Sequence, residues 1–237
     1  MVVFLLGVCS FSLLSATVLH AGEIDLTTVG SSGTVNGAVF LQYDPDHSMG
    51  TGVIDSFLRI QNNGVEQGYN TDGRPLEFDE GSVWTRALLL SDIPILNKGG
   101  TDYREFILDI NQNGNNIFSL DELRIALGST GDLLGYSSIF ASSIYDLDET
   151  EDSYIKMDYS LNAGSGSGDI IVCVPDSLFI GGDYVYLYSK FGVTYGADAG
   201  FEEWAVGTNG SVIPEPATIM LLGLGSLMLV RRKGNPT

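Results

Sequence analysis

The chain has 237 residues, 30 of them acidic against 11 basic, and a formal net charge of −19. That balance excludes nucleic acid and anionic membrane surfaces as partners, because phosphate needs cationic contacts. It suits divalent cations or neutral polysaccharide, and it also keeps an exported protein soluble.

The first element, Met1–Leu19, is apolar apart from small hydroxyl residues. With Leu19-His20-Ala21 as the cleavage site before Gly22, residues 1–21 read as a secretory signal peptide. Leu6-Gly7-Val8-Cys9 looks faintly like a lipidation box, but Val8 stands where a small residue belongs. Once Cys9 leaves with the signal, Cys173 is the only thiol, so no internal disulfide can form. His47 is then the only histidine, which excludes His-based triads and multi-His metal sites. No Gly-rich phosphate loop follows a strand, and no CxxC or zinc spacing occurs.

Residues 22–211 are long enough for one sizeable core and read as an all-β ectodomain, a jelly-roll-like β-sandwich. In chain order the predicted strands are Val35–Gln42, Ser56–Gln61, Val83–Leu90, Tyr103–Ile110, Phe118–Leu127, Tyr154–Leu161, Asp169–Val174, Asp183–Phe191 and Phe201–Val206. In Tyr154–Leu161, the side chains Ile155, Met157, Tyr159 and Leu161 share one face by period two. Phe118–Leu127 would also suit a short helix through Leu120, Leu123, Ile125 and Leu127; the alternation of the last three favours a strand. Cys173 sits in a continuous apolar run, Asp169–Val174, and reads as a small buried hydrophobe. Gly164-Ser165-Gly166-Ser167-Gly168 reads as a flexible turn between strands.

Four stretches could carry chemistry. Asp109–Glu122 places oxygen-bearing side chains at alternate positions with a Gly at the sixth, as a calcium loop does. Its candidate ligands are Asp109, Asn111, Asn113, Asp121 and Glu122, although Glu122 falls two positions late for an EF-hand. An Asn- and Gly-rich hairpin held by Asx turns uses the same residues structurally. Asp146, Asp148, Glu149, Glu151 and Asp152 crowd one loop and need solvent or a cation. Tyr184, Tyr186 and Tyr188 fall on one strand face and, if exposed, form a platform for stacking sugar rings; the alternative is a cross-strand aromatic ladder. Glu202-Glu203-Trp204 offers acids and an aromatic, but adjacent strand residues face opposite ways, so the glutamates cannot pair catalytically with each other. Hydrolysis would require a distant acid such as Asp158 or Asp176.

The C-terminal segment is built for a membrane. Pro214-Glu215-Pro216 precedes the uncharged run Ala217–Val230, and Arg231-Arg232-Lys233 follows it. The basic end stays in the cytoplasm and the body lies outside. The 14-residue run is short of the ~20 residues of a usual span, and Val212 together with snorkelling Arg stems lengthens it. A plain single-span anchor is one reading. The arrangement over Val212–Lys233 resembles the PEP-CTERM sorting signal of Gram-negative exported proteins, with Pro214, Glu215, Pro216, Arg231 and Arg232 as the motif residues. That resemblance implies recognition by an exosortase-type membrane protease, cleavage near Pro214–Pro216, and delivery to the cell surface or extracellular matrix. It also implies transient membrane anchoring through a helix at 217–230 within a signal at 212–237. Segments such as Gly64–Asp72, Phe106–Gln112, Ser119–Leu123 and Gly200–Trp204 also look like those of other proteins of this sorting class.

The expected function is that of an exported structural or adhesive surface protein, not an enzyme. The alternative is a calcium-stabilised carbohydrate-binding module that contacts extracellular polysaccharide. A secreted glycan-active enzyme is a third reading, for which the sequence supplies no catalytic constellation.

Overall fold

The computed structural model of the protein describes residues 22–43, 55–114, 116–163 and 168–206. The signal peptide, His47, residues 164–167, the sorting motif and the helix expected at 217–230 lie outside the described residues. The strands are β1 (Gly22–Leu26), β2 (Ser32–Val35), β3 (Ala38–Gln42), β4 (Asp55–Ile60), β5 (Glu66–Tyr69), β6 (Leu88–Leu89), β7 (Ile95–Lys98), β8 (Thr101–Asn111), β9 (Ile117–Gly128), β10 (Tyr145–Asp146), β11 (Ser153–Asp158), β12 (Ile170–Pro175), β13 (Tyr184–Phe191) and β14 (Phe201–Val206). A single turn of helix, α1 (Tyr136–Ile139), accompanies them. The all-β class expected from the sequence is therefore observed.

The strands form two seven-stranded sheets. The first runs β1-β11-β9-β13-β5, with β10 on β9 and β6 on β13; the second runs β2-β3-β12-β8-β14-β4, with β7 on β8. Only the β1–β11 ladder is parallel among the described pairs.

Period two explains why both sheets bury one face on a common core. Phe106, Leu108 and Ile110 of β8, Ile170, Val172 and Val174 of β12, and Trp204 of β14 meet Phe118, Leu120, Ile125, Ile155, Leu187 and Phe191 of the other sheet in one apolar cluster. Each such side chain contributes roughly 1.5–3 kcal/mol by leaving water. Trp204 Nε1 crosses the core to donate to Ser189 Oγ at 2.9 Å, so the buried indole N–H is satisfied. Cys173 lies on the opposite face of β12, fully buried beside Tyr43 and Ile171, with Lys98 Nζ 3.0 Å from its sulfur. It is the buried small side chain expected of it.

The strand expected over Phe118–Leu127 is observed as β9, and two other strand expectations need correcting in detail. The Leu120–Leu123 spacing that resembles a helix is a β-bulge: Lys190 of β13 faces Glu122, yet Phe191 faces Leu120. One extra residue shifts the alternation without ending the strand. Of Val83–Leu90 only Leu88–Leu89 is strand, because Arg74 takes the carbonyls of Ser82 and Thr85 that a neighbouring strand would need. The strand at Tyr154 stops at Asp158, whose Oδ1 accepts from Ser160 N at 2.9 Å and turns Tyr159–Leu161 into a 3-10 turn.

Candidate functional site

Three crossovers between the sheets meet at one end of the body. They follow β4, β8 and β13. Gly64 and Ala197 exchange both backbone hydrogen bonds at 2.9 Å, locking the first crossover to the third. Gly192 (φ +84°) allows this approach, since a Cβ there would lie 2.0 Å from the Gly64 carbonyl oxygen. From the same stretch, Asp198 reaches the turn after β8. Its carboxylate accepts from Asn113 N at 2.6 Å and from Gly114 N. Its own N–H donates to Gln112 Oε1 at 2.8 Å.

That contact decides what the Asn- and Gly-rich turn does. A calcium loop turns oxygens inward, whereas here backbone N–H groups point in and grip a carboxylate, as an anion nest does. The five candidate calcium ligands do not converge. Asp109 is buried in β8 and accepts from Gly168 N and Asn111 Nδ2. Asp121 accepts from Val193 N at 2.8 Å, Thr194 N at 2.9 Å and Ser119 Oγ at 2.8 Å, holding the turn after β13. Glu122 pairs with Lys190 at 2.9 Å, and Asn113 contributes its backbone. Among the described residues no group of three or more His, Cys, Asp or Glu is placed to hold a metal ion.

Beneath the crossovers Glu202, weighed in the sequence beside Glu203 and Trp204, meets a partner acid that the sequence did not suggest. Glu66 opens β5 in the first sheet, and Glu202 sits on β14 in the second. Both are 0% exposed. Asn62 N donates to Glu66 Oε2 at 2.8 Å, and Gln112 Nε2 donates to Glu202 Oε1. Burial raises both carboxyls, Glu202 well above the usual range, and Glu66 beside it adds to the rise. Glu203 faces the other way, as period two requires. Its Oε1 accepts from Arg59 Nε at 2.9 Å and Ser56 Oγ at 3.0 Å. The distant acids weighed as its partners are committed elsewhere: Asp158 to Ser160 and Asp176 to Arg104, at 2.6 Å.

The three tyrosines of β13 share a face, but the open platform is a correction: Tyr186 is 1% and Tyr188 2% exposed. Phe78, Tyr136 and Phe140 cover these two, forming a second aromatic cluster with Tyr69 outside the common core, and Tyr184 stays half-buried at its edge. Tyr136 and Tyr188 rings lie 4.5 Å apart. The outward aromatic is instead Trp84, 51% exposed, with the Arg59 guanidinium 4.6 Å from its ring centre and 3.9 Å from that of Phe201. In the acidic loop, Asp146 accepts from Asp148 N and pairs with Arg124 at 3.3 Å, and Asp148 accepts from Ser153 N. Burial first, then neighbouring Asp146 and Asp152, push the Asp148 carboxyl up to about 6.

Fold and site thus define a self-contained all-β body, and no described helix is long and apolar enough to cross a membrane. Residues 212–233 match the family model of the PEP-CTERM protein-sorting motif. The chain carries this sorting motif, which indicates export and sorting to the cell surface by exosortase, a membrane protein. No curated protein and no solved structure matches the chain.

Proposed function

We propose that the protein is a structural or adhesive component of the cell surface or extracellular matrix, with a jelly-roll body delivered by its sorting tail. The observation that carries this reading is the motif at 212–233. The strand order supports the jelly roll: β12-β8-β14-β4 lie in one sheet and β11-β9-β13-β5 in the other. Taken in chain order, these eight strands change sheet at nearly every step, as paired Greek keys do. Function follows from the surface and not from a reaction centre. The acid pair is sealed, Tyr186 and Tyr188 are covered, and a cleft of about 520 Å³ lined by Leu89 and the half-buried Tyr184 has its cation, Arg104, already tied to Asp176 and the carbonyls of Leu90 and Ile93. On this reading the protein is not an enzyme. The hydrophobic run at 217–230 anchors it transiently until cleavage near Pro214–Pro216. Mass spectrometry of the native C-terminus tests the reading. A chain ending near Pro214–Pro216 in the surface or matrix fraction supports it, and an intact tail on cytosolic protein overturns it.

A carbohydrate-binding module is the second reading, favoured by Trp84. A half-exposed indole backed by a guanidinium presents the flat apolar face on which a sugar ring stacks. Glycan arrays with the protein and its Trp84→Ala variant decide this. Signals lost in the variant favour binding, and blank arrays for both remove it.

A further inference from the structure

We propose that Glu66 and Glu202 bind a single proton between them and that this shared proton clasps the two sheets together at the crossover end. Four observations carry the inference. Both side chains are sealed from solvent. One oxygen of each already accepts a hydrogen bond, from Asn62 N and Gln112 Nε2. The other oxygens, Glu66 Oε1 and Glu202 Oε2, are buried and receive none, while the two carboxyls lie within hydrogen-bonding reach of each other. Two buried carboxylates in contact cannot both be charged without a large cost, and an orphaned buried oxygen is costly in itself. One proton settles both debts: one carboxyl becomes a donor, the other stays an acceptor, and the pair carries one negative charge.

Among the described residues no cationic side chain is found acting on the pair. The groups that act on the pair are Asp198 from the crossover after β13, Asp79 from the segment after β5, and the amides of Gln112 and Asn62. The acids disfavour a second charge, and the amides each satisfy one oxygen. Because Glu66 belongs to β5 and Glu202 to β14, the hydrogen bond ties one sheet to the other.

The pH dependence has a definite sign. A carboxyl whose folded proton affinity exceeds its unfolded value contributes stability fully below the unfolded pKa, and that contribution is lost as pH rises through the folded pKa. Other raised acids, Glu80, Asp148 and Asp169, add a slope of their own, so the test compares variants. Thermal unfolding of the full chain in mild detergent and EDTA is followed from pH 3 to 9 for the wild type and Glu202→Gln. The variant's amide N–H stands in for the shared proton. The expected result is equal melting temperatures at pH 3 and a variant that melts higher at pH 8, by about 3–5 °C for each tenfold strengthening of the pair's proton affinity. Parallel curves overturn the proposal. So does a rise in wild-type melting temperature at pH 8 when calcium replaces EDTA, absent in Glu202→Gln, since a cation would then fill the place of the proton. Infrared spectroscopy of ¹³C-glutamate protein keeps the proposal testable should the variant fail to fold. A protonated glutamate carbonyl band in the folded wild type at pH 7 supports it, and absence of that band overturns it.

Discussion

Two acid-rich regions of this protein behave in opposite ways. The loop at 146–152 has the higher density of charge along the chain, yet it is the quieter of the two, even with Asp148 pushed up to about 6. Asp146 and Asp148 are used as local acceptors, Arg124 stands beside Asp146, and Glu149, Glu151 and Asp152 face solvent. Glu66 and Glu202 lie far apart in sequence, but folding seals them together with no cation between. The contrast shows that charge density along a sequence is a poor guide to electrostatic tension. Burial converts an ordinary acid into a costly one, and burial is set by long-range strand pairing.

The comparison can be pressed from its strongest point downward. Asp121→Ala at the crossover end should cost about 2–3 kcal/mol, because the N–H groups of Val193 and Thr194 lose their acceptor; urea unfolding measures it, and a loss under 1 kcal/mol would show that water replaces the carboxylate. Asp198→Ala, nearer the solvent, should cost about 1 kcal/mol. Amide exchange at Asn113 and Gly114 should accelerate in that variant, and unchanged protection would break the nest interpretation. In the quiet loop, Asp148→Asn should raise stability at pH 8 by less than about 1 kcal/mol and leave it unchanged at pH 3. Its folded pKa is raised to about 6, so the contribution present at low pH is lost through that value. Glu149→Gln, fully on the solvent side, should stay within about 0.5 kcal/mol at any pH.

Much of the fold was legible because its long strands carry their own pattern. Phe106, Leu108 and Ile110 alternate, as do Ile170, Val172 and Val174, and both sets point into the core. The strands β1, β2, β5, β7 and β10 were missed because they are short and carry few apolar residues. Ser32-Gly33-Thr34-Val35 and Glu66-Gln67-Gly68-Tyr69 lack any alternation of polarity, and their place comes from partners elsewhere in the chain. The same limit explains the tyrosines. Period two put Tyr184, Tyr186 and Tyr188 on one face, but the cover of Phe78, Tyr136 and Phe140 comes from distant segments. In the Asn-rich turn, composition counted the oxygens correctly and could not say that N–H groups would turn inward. Glu202 was visible as a candidate acid, but nothing local pointed to Glu66 as its partner.

The position of β14 has a mechanical consequence. This last described strand is flanked by β8 on one side and β4 on the other, and only five residues separate its end at Val206 from the start of the sorting motif at 212. Fully extended, that leash reaches at most about 18 Å. A tug on the tail against the rest of the body drags β14 lengthwise through two ladders at once, so their hydrogen bonds share the load instead of peeling one by one. The same placement leaves the second sheet split in two until the segment up to Val206 is in place, so closure of this sheet waits on the last described strand.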